Sequence, residues 1–166
     1  MYLLFVSSLV KNFELAIIIK NKLSELGKES ELINLVELDI PMYDSYKEQN
    51  EGIPQKIIEL AKKMEVVDGF IFISPEYNYS LPVVHINTIA WLSRIGDDFR
   101  KLFSMKYIQL ATHSGSGGQD VCNTMRTQFS KLGAIVMPRE IITSYQKELN
   151  NESLNHILKQ FINTVK

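Results

Sequence analysis

The sequence predicts an α/β fold: a three-layer sandwich built on a five-stranded parallel sheet, with helices on both faces. Three observations carry this prediction. Short apolar runs alternate with segments of helical periodicity about five times along 166 residues. The apolar runs are continuous rather than alternating, as in strands buried on both faces. Three of the loops that follow them are polar or glycine-bearing. Strand–helix alternation implies parallel strands joined by right-handed crossovers.

Tyr2-Leu3-Leu4-Phe5-Val6 is the first strand. Ser7 to Asn12 follows as a short loop, and Phe13 to Leu26 reads as a helix stopped by Gly27. That helix begins where the strand ends, so its free amides and positive dipole end suit an anion, especially a phosphate. No G-x-G-x-x-G dinucleotide fingerprint is present. Glu31 to Leu35 is a weaker strand, and Glu37 to Gly52 an irregular connection. Ile53 to Val67 is a helix with Pro54 in its first turn.

Gly69 to Ser74 is the third strand. It runs into Pro75-Glu76-Tyr77-Asn78 and then a helix from Val83 to Arg94, with Ser80 as N-cap and Pro82 in the first turn. Tyr107 to Ala111 is the fourth strand, followed by the loop Thr112-His113-Ser114-Gly115-Ser116-Gly117-Gly118 and a helix from Gln119 to Leu132. Ala134 to Met137 is a fifth strand stopped by Pro138, and Asn151 to Val165 a final helix. For a chain of this size the flavodoxin-like order 2-1-3-4-5 fits best. It brings the loops Ser7–Asn12, Ser74–Ser80 and Thr112–Gly118 to one sheet edge, where open α/β sheets bind ligands.

Composition narrows the function. The chain is 45% hydrophobic and 22% charged, with a formal net charge of -1. Without a basic excess, nucleic acid is not an expected partner. No stretch approaches the roughly 20 apolar residues of a membrane span, and the N-terminus enters a strand without the features of a secretory signal. Cys122 is the sole cysteine, so no intrachain disulfide forms. A reducing cytoplasm is the expected compartment. Three scattered histidines and one cysteine make no zinc-like cluster.

Ser74-Pro75-Glu76-Tyr77-Asn78-Tyr79-Ser80-Leu81-Pro82, with Asn87 and Trp91-Leu92-Ser93-Arg94 behind it, closely resembles the NADPH-dependent FMN reductase family, whose central pattern is P-E-Y-N-x-S-x-P-G-x-L-K-N-A-I-D-W. Leu38 to Asp44 resembles the family's second connection. Ser114 to Gly118, before a helix ending in Leu132-Gly133-Ala134, resembles its third loop. The similarity covers most of the chain in order and spacing, so residues 1–166 read as a single domain of this family.

The resemblance implies bound FMN, NAD(P)H as co-substrate, and electron transfer to a quinone, azo compound or similar acceptor. It also implies a homodimer or homotetramer with the helix 82–94 at a subunit contact. The chemistry belongs to the flavin, and no side chain is expected as a catalytic acid or base. On this reading Ser8, Lys11 and Asn12 face the phosphate. Pro75, Glu76, Tyr77 and Asn78 border the ribityl chain and ring, and Ser114, Gly115, Ser116, Gly117 and Gly118 hold the ring's polar edge.

The chain departs from the family pattern in two places. The usual first loop, G-S-x-R-x-x-S-x-N-x-x-L-A, is about three residues shorter here. Val10 stands at the arginine, and the middle serine is missing. In the central helix the family's G, K and D positions are Val83, Ile86 and Ala90.

Other readings stand beside this one. Glu76 and Asn78 also suit capping of the loop and the next helix, and Tyr77 suits packing as well as ring contact. Ser116 between glycines invites a hydrolase reading, but position 114 is serine where a nucleophile elbow needs glycine, and no Asp–His pair is evident. His85 reads as an interface or packing residue, Trp91 as core or subunit contact, Cys122 as a buried thiol, and His156 as solvent-facing. At the level of function, a flavin electron carrier and a relative with weak or lost FMN binding are the alternatives.

Overall fold

A computed structural model describes residues 1–165. Strands β1 (Tyr2–Val6), β2 (Ser30–Asn34), β3 (Gly69–Ile73) and β4 (Tyr107–His113) form a parallel sheet in the order β2-β1-β3-β4. Its registers pair Leu4 with Leu32 and Ile71, and Ile71 with Gln109. The expected order 2-1-3-4-5 is therefore the observed one, with one refinement. The fifth position is shared by two short strands, β5 (Ile135–Val136) and β6 (Ile141–Thr143).

The interruption has a local cause. Pro138 cannot donate to a ladder, and the chain swings out between the two strands. Buried Gln109 fills the gap, its Nε2 donating to the Arg139 carbonyl at 2.7 Å. Helix α5 (Gln119–Lys131) adds a tie, with Arg126 Nη2 donating to the Met137 carbonyl at 2.9 Å and pairing with Glu140. β6 carries no legible sequence pattern because three residues are too few to show one.

Alternate residues of each strand enter opposite layers. Leu3, Phe5, Phe70, Phe72, Ile108 and Leu110 pack on the face covered by α3 (Gln55–Val66), α4 (Val83–Leu92) and α5. Tyr2, Leu4, Val6, Ile71, Ile73 and Ala111 pack on the face covered by α1 (Lys11–Glu25) and α6 (Asn151–Thr164). Both faces are buried, which is why these strands read as unbroken apolar runs. Phe5 stacks on Phe72 at 4.6 Å, and Phe72 meets Phe129 at 4.3 Å. Gly69 is fixed by close approach: a Cβ there would lie 2.8 Å from the Tyr107 carbonyl oxygen.

Three local assignments change. Ser45–Glu51 is a helix, α2, within the expected irregular connection. It buries no residue, so no apolar period marks it. Asp44 caps it, accepting from the Lys47 N–H at 2.7 Å, and Gly52 ends it at φ 77°. Helix α1 begins at Lys11, placing Lys11 and Asn12 in its first turn. Ser80 does not cap α4; Pro82 holds that position in extended conformation, and Ser80 pairs with Tyr77 instead.

Candidate functional site: three loops at one sheet edge

The loops after β1, β3 and β4 meet at the C-terminal edge of the sheet because β1, β3 and β4 are neighbours. The loop after β3 is a tight hairpin turn. Tyr77 and Ser80 exchange main-chain hydrogen bonds, each 3.0 Å, while Asn78 and Tyr79 sit at φ 48° and 62°. Two successive left-handed residues make a type I′ turn. Asparagine tolerates that conformation, whereas tyrosine is strained in it. The result is a rigid loop presenting Tyr77, Asn78 and Tyr79 to solvent.

Glu76 points away from that surface and braces the next loop. Its carboxylate accepts from Ser114 Oγ at 3.1 Å, from Ser116 Oγ, and from the Val121 N–H at 3.1 Å. Burial pushes the Glu76 carboxyl up, but the hydrogen bonds from Ser116, Val121 N–H, Ser114 and the Gly118 N–H outweigh it and hold the group below its usual value. It also places a negative charge at the N-terminus of α5, where the dipole favours one. The capping alternative is thus the one the geometry supports for Glu76. Gly118 opens that helix at φ 78°, where a Cβ would lie 2.5 Å from Thr112 Cγ2. Gly115, Ser116 and Gly117 stay exposed.

The loop after β1 is tied to the end of β4. Buried Asn12 is held by the main chain of His113: its Nδ2 donates to the His113 carbonyl at 2.9 Å, and its Oδ1 accepts from the His113 N–H at 2.7 Å. Both polar atoms engage the His113 main chain, so in this arrangement Asn12 sets the spacing between two loops. Lys11 Nζ is paired with Glu14 at 2.8 Å. It lines a groove of about 350 Å³ beside Tyr145 and Lys147 rather than the central cleft. Ser8 does line that cleft, a space of about 450 Å³ bounded by Ser7, Val10, Val36, Tyr77 and Val83. Of Ser8, Lys11 and Asn12, Ser8 lines the cleft between the β1 and β3 loops.

Sequence reasoning missed the segment after β6. Thr143 Oγ1 lies 3.1 Å from His113 Nδ1, and Tyr145 sets its ring edge-on to His113, centroids 5.1 Å apart. The unread strand β6 hid this contribution. His113 therefore has neighbours that position it, none of them an Asp or Glu of a hydrolase triad. No group of His, Cys, Asp and Glu among the described residues suits a metal ion.

The packing residues fall where expected. His85 is fully buried between Phe72 and Phe129, its Nε2 2.9 Å from Gln128 Oε1. Burial pulls its pKa down to about 4. Trp91 is buried, donating from Nε1 to the Pro41 carbonyl at 2.7 Å. Cys122 is a buried thiol pushed up to about 12 by burial and, secondarily, by the Glu140 carboxylate. His156 is exposed.

Comparison with known proteins follows the same lines. Residues 3–148 match the family described as NADPH-dependent FMN reductase. The chain belongs to that family. This NADPH-dependent FMN reductase family member is 46% identical over 59 residues to a quinone reductase of Escherichia coli K12, a match covering 36% of this chain and 31% of that protein. The chain thus spans about a third of the length of the curated quinone reductases it matches. It is 28% identical over 128 residues to the uncharacterized MG342 homolog of Mycoplasma pneumoniae, covering 75% and 76% of the two chains. Among solved structures, FerB, a flavoenzyme NAD(P)H:(acceptor) oxidoreductase of Paracoccus denitrificans, superposes with TM-score 0.77 at 20% identity, over 99% of this chain and 96% of that one. The fold of this family member is therefore flavodoxin-like, as the sequence predicted. The expectation of an FMN- and NAD(P)H-dependent oxidoreductase is met at the level of the family.

Proposed function

We propose that residues 1–166 act as a single domain that binds FMN, oxidises NAD(P)H and passes the electrons to a small acceptor such as a quinone or azo compound. The observation that carries this reading is the bracing of the Ser114–Gly118 loop by Glu76 from the neighbouring Pro75–Asn78 loop. Together they form a rigid pair of walls at the position where such sheets hold a ligand.

The residues present fit the ring end of FMN. Gly118 packs too closely on Thr112 for any side chain and so fixes the end of the loop, while Gly115 to Gly117 offer exposed main chain to the ring's polar edge. Tyr77 and Asn78 stand on the opposite wall, beside the ring and ribityl chain. Ser8 and the first amides of α1 face the tail. When bound, the flavin supplies the electron chemistry. The protein's residues orient it and surround it with fixed dipoles, and none is assigned a proton-transfer role. Thr112 Oγ1, Ser7 Oγ and His113 Nε2 are buried without a hydrogen-bond partner among the described residues, and all three lie at this sheet edge.

The exposed apolar side chains around the site support a homodimer or homotetramer through the helix 82–94. Val10 is 63% exposed, Val83 60% and Ile86 49%, a density of apolar surface that favours a partner. No described helix is long and apolar enough to cross a membrane, and the reading places the protein in the cytoplasm.

The test is reconstitution. Purified protein is incubated with excess FMN, passed over a desalting column, and its visible spectrum recorded before and after anaerobic NADPH. A retained flavin spectrum that NADPH bleaches supports the reading. Flavin retained but never bleached by NADPH or NADH favours an electron carrier. Ile86→Lys, measured by light scattering, should lower the oligomeric state if the helix is the contact.

A further inference from the structure

We propose that the groove between α1 and the β6–α6 connection is a second small-molecule site. It takes a neutral, planar aromatic molecule that bears a hydroxyl donor, a phenol or hydroquinone. The groove shares no lining residue with the cleft between the β1 and β3 loops. The site therefore stands whether or not that cleft holds a flavin.

Size and charge select the ligand class. The groove holds about 350 Å³, within the roughly 300–1,000 Å³ of small-molecule pockets. Leu15, Ile18 and Leu149 give it apolar walls, and the Tyr145 ring, 75% exposed, offers a flat face. Its charged side chains cancel: Lys11 and Lys147 stand against Glu14 and Glu148, and Lys11 is already paired with Glu14. A charged ligand therefore gains little there, whereas a neutral aromatic ring gains burial.

The preference for a hydroxyl comes from His113, which lines the groove. Thr143 Oγ1 has one proton and donates it to the Thr112 carbonyl at 3.3 Å. The same oxygen lies 3.1 Å from His113 Nδ1, so it accepts there, and the neutral imidazole carries its proton on Nδ1. Nε2 is left as a bare acceptor, buried and without a partner among the described residues. Leaving a buried acceptor unpaired is unfavourable, and a ligand hydroxyl relieves it. Tyr145 lies edge-on against the imidazole and, being exposed, is free to turn aside and admit that hydroxyl. A quinone carbonyl only accepts and cannot pair with Nε2. The hydroquinone formed from it by two electrons and two protons can. On the flavin reading above, the groove is thus selective for the reaction's product over its substrate.

The experiment is titration of the isotope-labelled full chain with β-naphthol and with its methyl ether, followed by NMR. The ether keeps the ring and loses the donor. The expected result is movement of the amide signals of Ser144 to Lys147 and of the His113 imidazole nitrogens. β-Naphthol should bind about threefold or more tighter than the ether, since one hydrogen bond amounts to about 2- to 12-fold in affinity. His113→Phe should bring the two affinities together, and Tyr145→Ala should weaken both in parallel. Equal affinities in the unaltered chain, or a preference that survives in His113→Phe, overturn the proposal. So do shifts confined to Ser7, Ser8 and Tyr77 of the cleft, or no binding of either probe. If His113→Phe does not fold, the two probes on the unaltered chain decide. Failure to retain FMN is a separate result that sinks the flavin reading and leaves this site standing.

Discussion

Asn12 and His113 are 101 residues apart and hold each other by two hydrogen bonds, donor to acceptor in each direction. The pair fastens the first turn of α1 to the end of β4. It thereby fixes the distance between the first and third loops of the site. Asn12→Ala should remove both bonds and leave the His113 main chain unpaired in a part-buried position. At about 1 kcal/mol per bond, plus the cost of orphaned polar groups, a loss of about 2–3 kcal/mol is expected. Urea unfolding measures it. A loss below about 0.5 kcal/mol would show that the clamp contributes nothing.

Glu76 makes a different prediction, on binding rather than global stability. Glu76→Ala removes the common acceptor of Ser114, Ser116 and the Val121 N–H. The glycine loop should then exchange its amide hydrogens faster, and flavin affinity should fall roughly tenfold, a loss equivalent to one charged hydrogen bond. Glu76→Gln keeps one carbonyl oxygen and should lose less. The folded carboxyl lies below its ordinary value. Its contribution is therefore present above the ordinary carboxylate range and is lost as pH falls through the lower, folded value. Unchanged exchange at Gly115 and Gly117 in the alanine variant would contradict the bracing role.

How much of this was legible in the sequence follows from what each residue does. The strands β1, β3 and β4 were readable because burial on both faces makes them continuously apolar. The loops of the site were readable because β1, β3 and β4 are adjacent and each ends in polar or glycine residues. The hold of Asn12 on His113 was not legible. An asparagine at a helix start looks the same whether it meets a ligand or a carbonyl 101 positions away, and that choice depends on the separation of two loops in space. Likewise β6, with Thr143 and Tyr145 beyond it, was invisible because Pro138 ends the pattern and three residues are too few to restart it. Helix α2 buries nothing, so the hydrophobic period that marks the other helices is absent.

The turn at Asn78-Tyr79 yields a prediction of opposite sign. Tyr79 has φ 62° and is 69% exposed, so its replacement relieves strain and loses little packing. Tyr79→Gly should stabilise the folded chain by about 0.5–1 kcal/mol, the left-handed cost of roughly 1–2 kcal/mol less the added entropy of an unfolded glycine. Tyr79→Val, β-branched and ill suited to positive φ, should destabilise it. Thermal unfolding distinguishes the two. If both variants destabilise equally, the tyrosine ring contributes packing rather than strain.

His85 ties stability to pH. Its folded pKa of about 4 lies below its ordinary 6.5, because burial between Phe72 and Phe129 disfavours the charged ring. Between those values the unfolded chain binds the proton and the folded chain does not, so stability rises with pH across the window. It should be flat above about pH 7 and decline as pH falls through 6.5. The loss from this group should reach about 2 kcal/mol at pH 5 and roughly 3 kcal/mol near pH 4, taking about 1.4 kcal/mol per unit. His85→Leu fills a similar space with no titrating group and leaves Gln128, which is partly exposed, to water. The variant should lose most of the slope between pH 7 and 5 that the unaltered chain shows. Urea midpoints at the two pH values give the comparison, and identical slopes would mean that His85 is solvated or already charged in the folded chain.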